Sequence, residues 1–256
     1  MRIFVFNFRR LLIFLIIFAM AALLISVVSI KGMEALGVFS SNRELPIYSV
    51  GTEEKVASIT FDCAWGADDI PDILDTLKAA DVKATFFIVG EWAEKYPDAV
   101  RRIAQEGHDV ANHSYSHFRM GSLDQPKISS EIKQCTDILE RLSGTTCDLF
   151  RAPYGDYSDS LLLEAKRQGY FTIQWDVDSL DWKPGISKEE ILQRINTKIK
   201  PGSIILFHND TAHTARLLPG IIAELKSKGY GFLPVSRLIL RKDYFIDDEG
   251  RQKSNT

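Results

Sequence analysis

Two histidines four residues apart are the first feature of this sequence that could do chemistry. His113 and His117 lie in the stretch Asn112-His113-Ser114-Tyr115-Ser116-His117. On a helical turn this spacing points both imidazoles the same way, as in two-histidine zinc sites. Such a site takes a third protein ligand and leaves one position open for water. The alternative is a pair of surface histidines, which a chain with only 5 histidines disfavours.

Charged or titratable side chains also follow five short apolar runs. They are Asp62, His113, Arg151, the pair Asp178 and Asp181, and His208. The carboxyl ends of parallel strands meet at one edge of a sheet or barrel, where α/β enzymes build their active sites. The sequence therefore predicts that these side chains lie in one site.

Each of these residues has a chemical role that fits its type. Asp62 lies where a general base or a metal ligand is expected. Arg151 could hold a carboxylate through two parallel hydrogen bonds, or form a structural salt bridge. His208 has no second histidine nearby and suits a general acid if Asp181 raises its pKa. Glycoside hydrolysis by Asp62 and Asp178 is another reading, but it leaves the paired histidines without a role.

The elements that must position these side chains alternate along the chain. Strand-like runs are predicted at 56–61, 84–89, 109–111, 147–150, 170–175, 203–207 and 231–235. Helical patterns are predicted at 71–80, 91–106, 127–143, 158–168, 187–199 and 214–228. Strands that alternate with helices pair in parallel through crossovers. The prediction is an α/β fold, either a barrel or an open doubly wound sheet.

Composition excludes several classes of protein. The chain has 256 residues, 45% of them hydrophobic and 25% charged, which is ordinary for a globular protein. Its net charge of -3 and pI of 6.0 lack the basic excess of a nucleic-acid binder, so we expect no nucleic-acid partner.

The N-terminal region predicts a membrane anchor. Residues 11–30 carry no charge and are long enough to cross a bilayer, whereas arginines precede them and no acid occurs before Glu34. The positive-inside rule then leaves 1–10 in the cytoplasm and the rest of the chain outside. A cleaved signal peptide is the alternative. We predict a juxtamembrane linker over 31–54, a catalytic domain over 55–240 and a polar tail over 241–256.

Over roughly 55–240 the sequence resembles the polysaccharide deacetylases, the carbohydrate esterase family 4 with the NodB homology domain. Five motifs carry the resemblance in the family's order: Thr60-Phe61-Asp62, His113-Ser114-Tyr115-Ser116-His117, Arg151-Ala152-Pro153-Tyr154-Gly155, Trp175 through Asp178-Ser179-Leu180-Asp181-Trp182, and Leu206-Phe207-His208. The anchor and the Trp65-Gly66 variant of the first motif resemble the spore-associated branch.

This resemblance implies a distorted parallel barrel of seven or eight strands that removes N-acetyl groups from N-acetylhexosamine in a cell-wall glycan, such as peptidoglycan. The residues it implicates are Asp62 as base, Arg151 as its orienting partner, His208 as acid tuned by Asp181, Tyr154 as the backbone donor to the oxyanion, and Trp175, Trp182 and Leu206 around the acetate. It also implies a divalent metal on His113 and His117, zinc or a neighbour such as cobalt.

One position departs from the family's pattern. The first motif normally has two consecutive aspartates, base and then metal ligand, and the second is Cys63 here. A thiolate binds zinc, so Cys63 is one candidate for the third ligand, and Asp68 or Asp69 is another. In a third alternative the metal is lost, and the protein is either a weak enzyme or a non-catalytic glycan-binding or scaffold protein.

Overall fold

The computed structural model describes residues 18–20 and 44–255. Apart from 18–20, which are helical, the predicted transmembrane helix over 11–30 lies outside the described residues. Among the described residues no helix combines the length and the apolar character needed to cross a membrane. Residues 44 onward form one compact unit.

This unit is an α/β fold built on one curled, mainly parallel sheet. The strands are β1 (Ser49–Val50), β2 (Val56–Cys63), β3 (Thr85–Ile88), β4 (Asp109–Asn112), β5 (Leu149–Phe150), β6 (Phe171–Thr172), β7 (Val177–Asp178), β8 (Ser203–His208), β9 (Gly231–Phe232), β10 (Tyr244–Ile246) and β11 (Arg251–Ser254). Their order is β10-β11-β1-β8-β2-β3-β4-β5-β6, with β7 on β8 and β9 on β2. The predicted alternation of strands and helices is confirmed.

The helices connect the strands as crossovers. They are α1 (Ile70–Ala79), α2 (Gly90–Lys95), α3 (Pro97–Gln105), α4 (Gln125–Ser143), α5 (Asp159–Arg167), α6 (Lys188–Lys198), α7 (Thr214–Ser227) and α8 (Val235–Leu238), with a 3₁₀ turn at Pro153–Gly155. The helix predicted over 91–106 is in fact two helices. Pro97 restricts the backbone of Tyr96 to a non-helical conformation, with φ -126° and ψ 54°, and so separates them.

Strand β2 lies at the centre and separates two cores. Its residues Ile59, Phe61 and Cys63 belong to the larger core, which also contains the buried faces of the helices. Phe61 stacks on Phe86 of β3 with ring centroids 4.9 Å apart. Successive strand residues point to opposite faces, so Thr60 and Asp62 lie on the concave side of the sheet. This alternation gives β2 one structural face and one face for chemistry.

The two arms of the curled sheet meet at the segment 47–50. Ile47 donates its N–H to the Thr172 carbonyl at 2.9 Å and accepts from the Gln174 N–H at 2.7 Å. Two residues later Ser49 pairs with Ser203 of β8. This closure comes from the described part of the predicted linker 31–54, so its last residues belong to the sheet.

The predicted polar tail over 241–256 also contains sheet. β10 and β11 form an antiparallel hairpin, and β11 runs parallel to β1. Gln252 is fully buried there and exchanges two hydrogen bonds with the backbone of Leu240, 2.7 Å and 2.8 Å long. Because the segment contains many charged residues, its composition does not reveal the inward-facing residues of these two strands.

Candidate active site

The carboxyl ends of the central strands place an ion pair at the base of the site. Asp62 is the next-to-last residue of β2, and Arg151 follows β5. Arg151 Nη1 donates to Asp62 Oδ1 at 2.6 Å and to Thr60 Oγ1 at 2.9 Å, and Nη2 donates to the Gln174 carbonyl at 3.1 Å. The guanidinium lies 3.9 Å from the centre of the Phe87 ring. Arg151 is entirely buried, so its position is fixed by these contacts.

Asp62 is held as a carboxylate in a buried position. Burial alone raises its pKa, but the charge of Arg151 and nearby histidines, together with the Arg151 hydrogen bond, bring the pKa below its ordinary value. Its second oxygen, Oδ2, lies 3.4 Å from His113 Nε2. One oxygen is thus committed to the arginine and the other faces the histidines.

The two histidines lie together, but on a loop. Their ring centroids are 5.1 Å apart. His113 Nδ1–H donates to the Arg151 carbonyl at 2.8 Å, which leaves Nε2 as the nitrogen that can bind a ligand. Burial lowers the pKa of His113 and lowers that of His117 to about 3, so both imidazoles are neutral at physiological pH.

The prediction of a helical turn at 113–117 is wrong. Ser114 and His117 have left-handed backbones, with φ of 63° and 57°. The buried carboxylate of Glu131 on α4 accepts the N–H groups of Tyr115 and Ser116, at 3.1 Å and 2.8 Å. These side-chain bonds replace the helical ones and bring the two rings together by a different route.

A second pair of residues faces Asp62 from the neighbouring strand. His208 ends β8 directly beside Asp62 in the parallel register. Its Nδ1 bonds to Asp181 Oδ1 at 2.8 Å, and Asp181 Oδ2 accepts the His208 N–H at 2.7 Å and the Thr214 hydroxyl at 2.5 Å. Burial lowers the pKa of His208, but the hydrogen bond and charge of Asp181 outweigh it, and the pKa lies above its ordinary value.

The residues predicted to bind substrate lie around this centre. Tyr154 has a left-handed backbone, with φ 61°, and its ring centroid is 4.6 Å from that of His117. Leu206 is buried on β8, two residues before His208, and the Trp175 ring is 5.5 Å from the Arg151 guanidinium. Trp182 is half exposed beside Asp181. Such a strained backbone at Tyr154 is typical of functional sites.

The donor set fits a metal only in part. Cys63 packs with Ile59 and Phe61 in the helix-facing core, and burial raises the pKa of its thiol well above the ordinary value. Of the residues that the structure describes, no three histidines, cysteines or acids are grouped to hold a metal ion. A zinc site takes at least three protein ligands. The two histidines fit such a site, and the structure does not bring Cys63 to them.

The residues that support these side chains are not among those predicted from the sequence. Glu131 orders the histidine loop, Thr214 completes the shell of Asp181, and Thr60 completes that of Arg151. Glu131 interrupts the apolar face of an amphipathic helix, which is a signal for a buried acid with partners. Thr60 precedes Asp62 by two residues, so strand alternation alone places it on the same face.

Comparison with known proteins agrees with this geometry. The sequence profile of the polysaccharide deacetylase family matches residues 49–173. A peptidoglycan-N-acetylglucosamine deacetylase of Bacillus cereus is 39% identical over 180 residues, 69% of this chain and 65% of that protein. The peptidoglycan-N-acetylmuramic acid deacetylase PdaA of Bacillus subtilis is 31% identical over 199 residues, 77% of this chain and 76% of that protein.

A solved structure with the same fold is a CE4 family pseudoenzyme from Bacillus anthracis. It matches with a TM-score of 0.73 and 34% identity, over 77% of this chain and 70% of the other. A mutant of it, described as having restored enzymatic activity, matches at 35% identity. The curled sheet and the five strand-end motifs thus define a carbohydrate esterase fold. This chain belongs to the polysaccharide deacetylase family.

Proposed function

We propose that this protein removes N-acetyl groups from the N-acetylhexosamine units of a cell-wall glycan, with peptidoglycan as the first candidate. The observation that carries the proposal is the pairing of Asp62 with His208 across two adjacent parallel strands, each with its own charged partner. One of these residues is held ionised and the other is held ready to carry a proton. Amide hydrolysis needs both functions.

The residues divide the reaction between them. Asp62 takes a proton from a water molecule while the water oxygen attacks the acetamide carbonyl. Arg151 keeps the Asp62 carboxylate in place. The Tyr154 backbone N–H is the candidate donor to the oxyanion. His208 then protonates the nitrogen as the C–N bond breaks, and Asp181 stabilises the imidazolium. The products are acetate and a glucosamine-type amine.

The expected zinc or cobalt remains a prediction for His113 and His117. Two imidazoles are an incomplete ligand set, so the proposed proton transfers are assigned to this chain's own residues. The metal is tested separately from the reaction, by metal content.

The direct test is acetate release by the purified full-length chain, with acetylated chito-oligomers and with peptidoglycan as substrates. Acetate release that disappears in Asp62→Asn supports the proposal. No acetate from either substrate, with or without added zinc or cobalt, contradicts it.

A non-catalytic glycan-binding protein is the second candidate. The incomplete ligand set favours it, as does similarity to the pseudoenzyme from B. anthracis. It predicts glycan binding without acetate release. The preservation of Asp62, Arg151, Asp181 and His208 in working contact favours catalysis instead.

We also propose that residues 11–30 anchor the protein in the cell membrane as a single span, with the catalytic domain outside the cytoplasm. The uncharged stretch after Arg9 and Arg10 supports this. A role in sporulation belongs to the same proposal and rests on the Trp65-Gly66 variant of the first motif. Protease accessibility of residues 44–255 in intact protoplasts tests the orientation.

A further inference from the structure

Trp65 lies over the candidate site without a role in the reaction described above. It follows β2 by two residues, and its side chain is 48% exposed. Its ring centroid is 5.8 Å from that of His208 and 6.5 Å from that of His117. A large indole therefore presents an open surface beside His208, at the end of β8, and His117, in the loop after β4.

The loop that carries Trp65 is fixed by its neighbour, Gly66. The Gly66 N–H donates to Asp210 Oδ2 at 2.8 Å, and its carbonyl accepts from Trp92 Nε1 at 2.9 Å and from Asn209 Nδ2. Asp210 in turn donates its N–H to Asp69 Oδ2 at 2.9 Å. These bonds tie the loop after β2 to the loop after β8. His208 is the last residue of β8 and directly precedes the second loop.

Gly66 is needed for this close approach. A Cβ atom at this position would lie 2.8 Å from the Asp210 carboxylate, closer than real Cβ contacts. The indole is thus carried on a backbone that is already ordered. Because the loop is already ordered, a ligand that stacks on the indole would bind without the entropy cost of ordering a mobile loop.

The open aromatic surface fits the apolar face of a sugar ring. A pyranose presents C–H groups on its face and hydroxyls at its edge, so it stacks on an aromatic ring while its polar groups stay solvated. Tyr154 is also about half exposed. The rings of Trp65 and Tyr154 both lie beside that of His117, near the point where the acetamide must reach His208.

We propose that Trp65 is a stacking platform for a hexosamine ring of the glycan and that it positions the acetamido group against His208. This inference deepens the proposed function and rests on it. Trp65 contacts the sugar and takes no part in proton transfer. Its loss therefore raises KM and leaves the ionisations of the site where they are.

The test compares Trp65→Ala and Trp65→Phe with Phe118→Ala as a matched control. Phe118 is 46% exposed, and its ring contacts Lys127 at 5.2 Å. With tetra-N-acetylchitotetraose we expect Trp65→Ala to raise KM at least 10-fold and change kcat less than 3-fold. Trp65→Phe should retain most of the affinity, and Phe118→Ala should behave as wild type.

Two results would overturn the inference. One is an unchanged KM in Trp65→Ala, or a rise no larger than that in Phe118→Ala. The other is a fall in kcat with a shifted pH profile and a constant KM, which would mean that the indole acts through the ionisation of His208.

A binding measurement separates this inference from the proposed function. If the wild-type chain releases no acetate, tetra-N-acetylchitotetraose binding is measured by calorimetry on wild type and Trp65→Ala. A tenfold loss of affinity in the variant supports the platform even though deacetylation has failed. Equal affinities, or no binding by the wild type, contradict it.

Discussion

The site contains two carboxylates, Asp62 and Asp181, and each has a basic partner of a different kind. Asp62 is paired with Arg151, a buried cation that stays charged at every accessible pH. Asp181 is paired with His208, a partly accessible imidazole whose charge changes with pH. The first pair fixes an ionisation state, whereas the second tunes one. In the proposed reaction the first pair supplies the base, Asp62, and the second supplies the acid, His208.

The largest expected effect is removal of the base. Asp62→Asn should lower kcat/KM about 10³-fold, within the usual range for general acid–base catalysis. It also leaves the buried Arg151 charge uncompensated, which costs about 3–5 kcal/mol of unfolding free energy. Acetate-release kinetics and urea unfolding measure the two effects.

Asp178→Asn is the matched control for this change. Asp178 ends β7 near the same edge and accepts the Leu180 N–H at 2.8 Å, which an asparagine oxygen can also accept. We expect less than a tenfold loss of activity. An equal loss in both variants would favour a paired-carboxylate mechanism and contradict the division of roles proposed here.

Breaking the second pair should have a smaller effect and change the pH profile. Asp181→Asn removes the charge that holds the His208 pKa above its ordinary value. The basic limb of the kcat profile should move to lower pH, and kcat should fall about 10²-fold. Thr214→Val removes a hydroxyl that donates to Asp181 and accepts from Thr211 but keeps the Asp181 charge, so it should not move the limb to lower pH. An unmoved limb in Asp181→Asn would exclude His208 as the acid.

Another histidine, His108, sharpens the comparison, because it is buried and no carboxylate among the described residues forms an ion pair with it. His108 accepts the Ala84 N–H through Nδ1 at 3.1 Å. Burial, helped by the charge of Lys83, lowers its pKa to about 4. Between pH 6.5 and 4 the unfolded chain binds this proton and the folded chain does not, so stability falls as the pH falls.

The size of this effect is measurable by unfolding at several pH values. Full expression of the shift costs about 3 kcal/mol on going from pH 7 to pH 4. His108→Asn keeps an acceptor for Ala84 and does not titrate, so its stability should depend less on pH over this range. Equal slopes in the two proteins would contradict the assignment.

The smallest expected effect concerns Cys63. Because its side chain packs in the helix-facing core, Cys63→Ala should leave the zinc affinity unchanged, whereas His113→Ala should reduce it at least tenfold. Metal content after dialysis against a chelator series measures both. A loss of zinc in Cys63→Ala equal to that in His113→Ala would establish the thiolate as the third ligand.

Strand-end chemistry was predictable from the sequence because the carboxyl ends of parallel strands meet at one edge of a sheet, however far apart the strands lie in the chain. Asp62 and His208 each end an apolar run, and parallel pairing alone places them side by side. The histidine loop was harder, because the spacing of His113 and His117 predicts one helical turn. The contact with Glu131 that shapes this loop comes from α4 and leaves no mark in the sequence of the loop itself.

The closure of the sheet was missed for a similar reason. Segment 47–50 follows Pro46 and contains no long apolar run, so its local composition indicates a linker. Its pairing with residues 172–174 and 203 depends on contacts more than 100 positions away. Short strands of this kind are specified by the partners they meet and hardly at all by their own residues.

The closure at Ile47 also connects the base of the site to the chain that precedes the sheet. The Gln174 N–H donates to the Ile47 carbonyl, and the Gln174 carbonyl accepts Arg151 Nη2. A pull on the chain ahead of residue 47 would therefore reach the guanidinium that holds Asp62 through two hydrogen bonds. If the protein is tethered through the chain ahead of residue 47, tension on that tether would be transmitted to the active site.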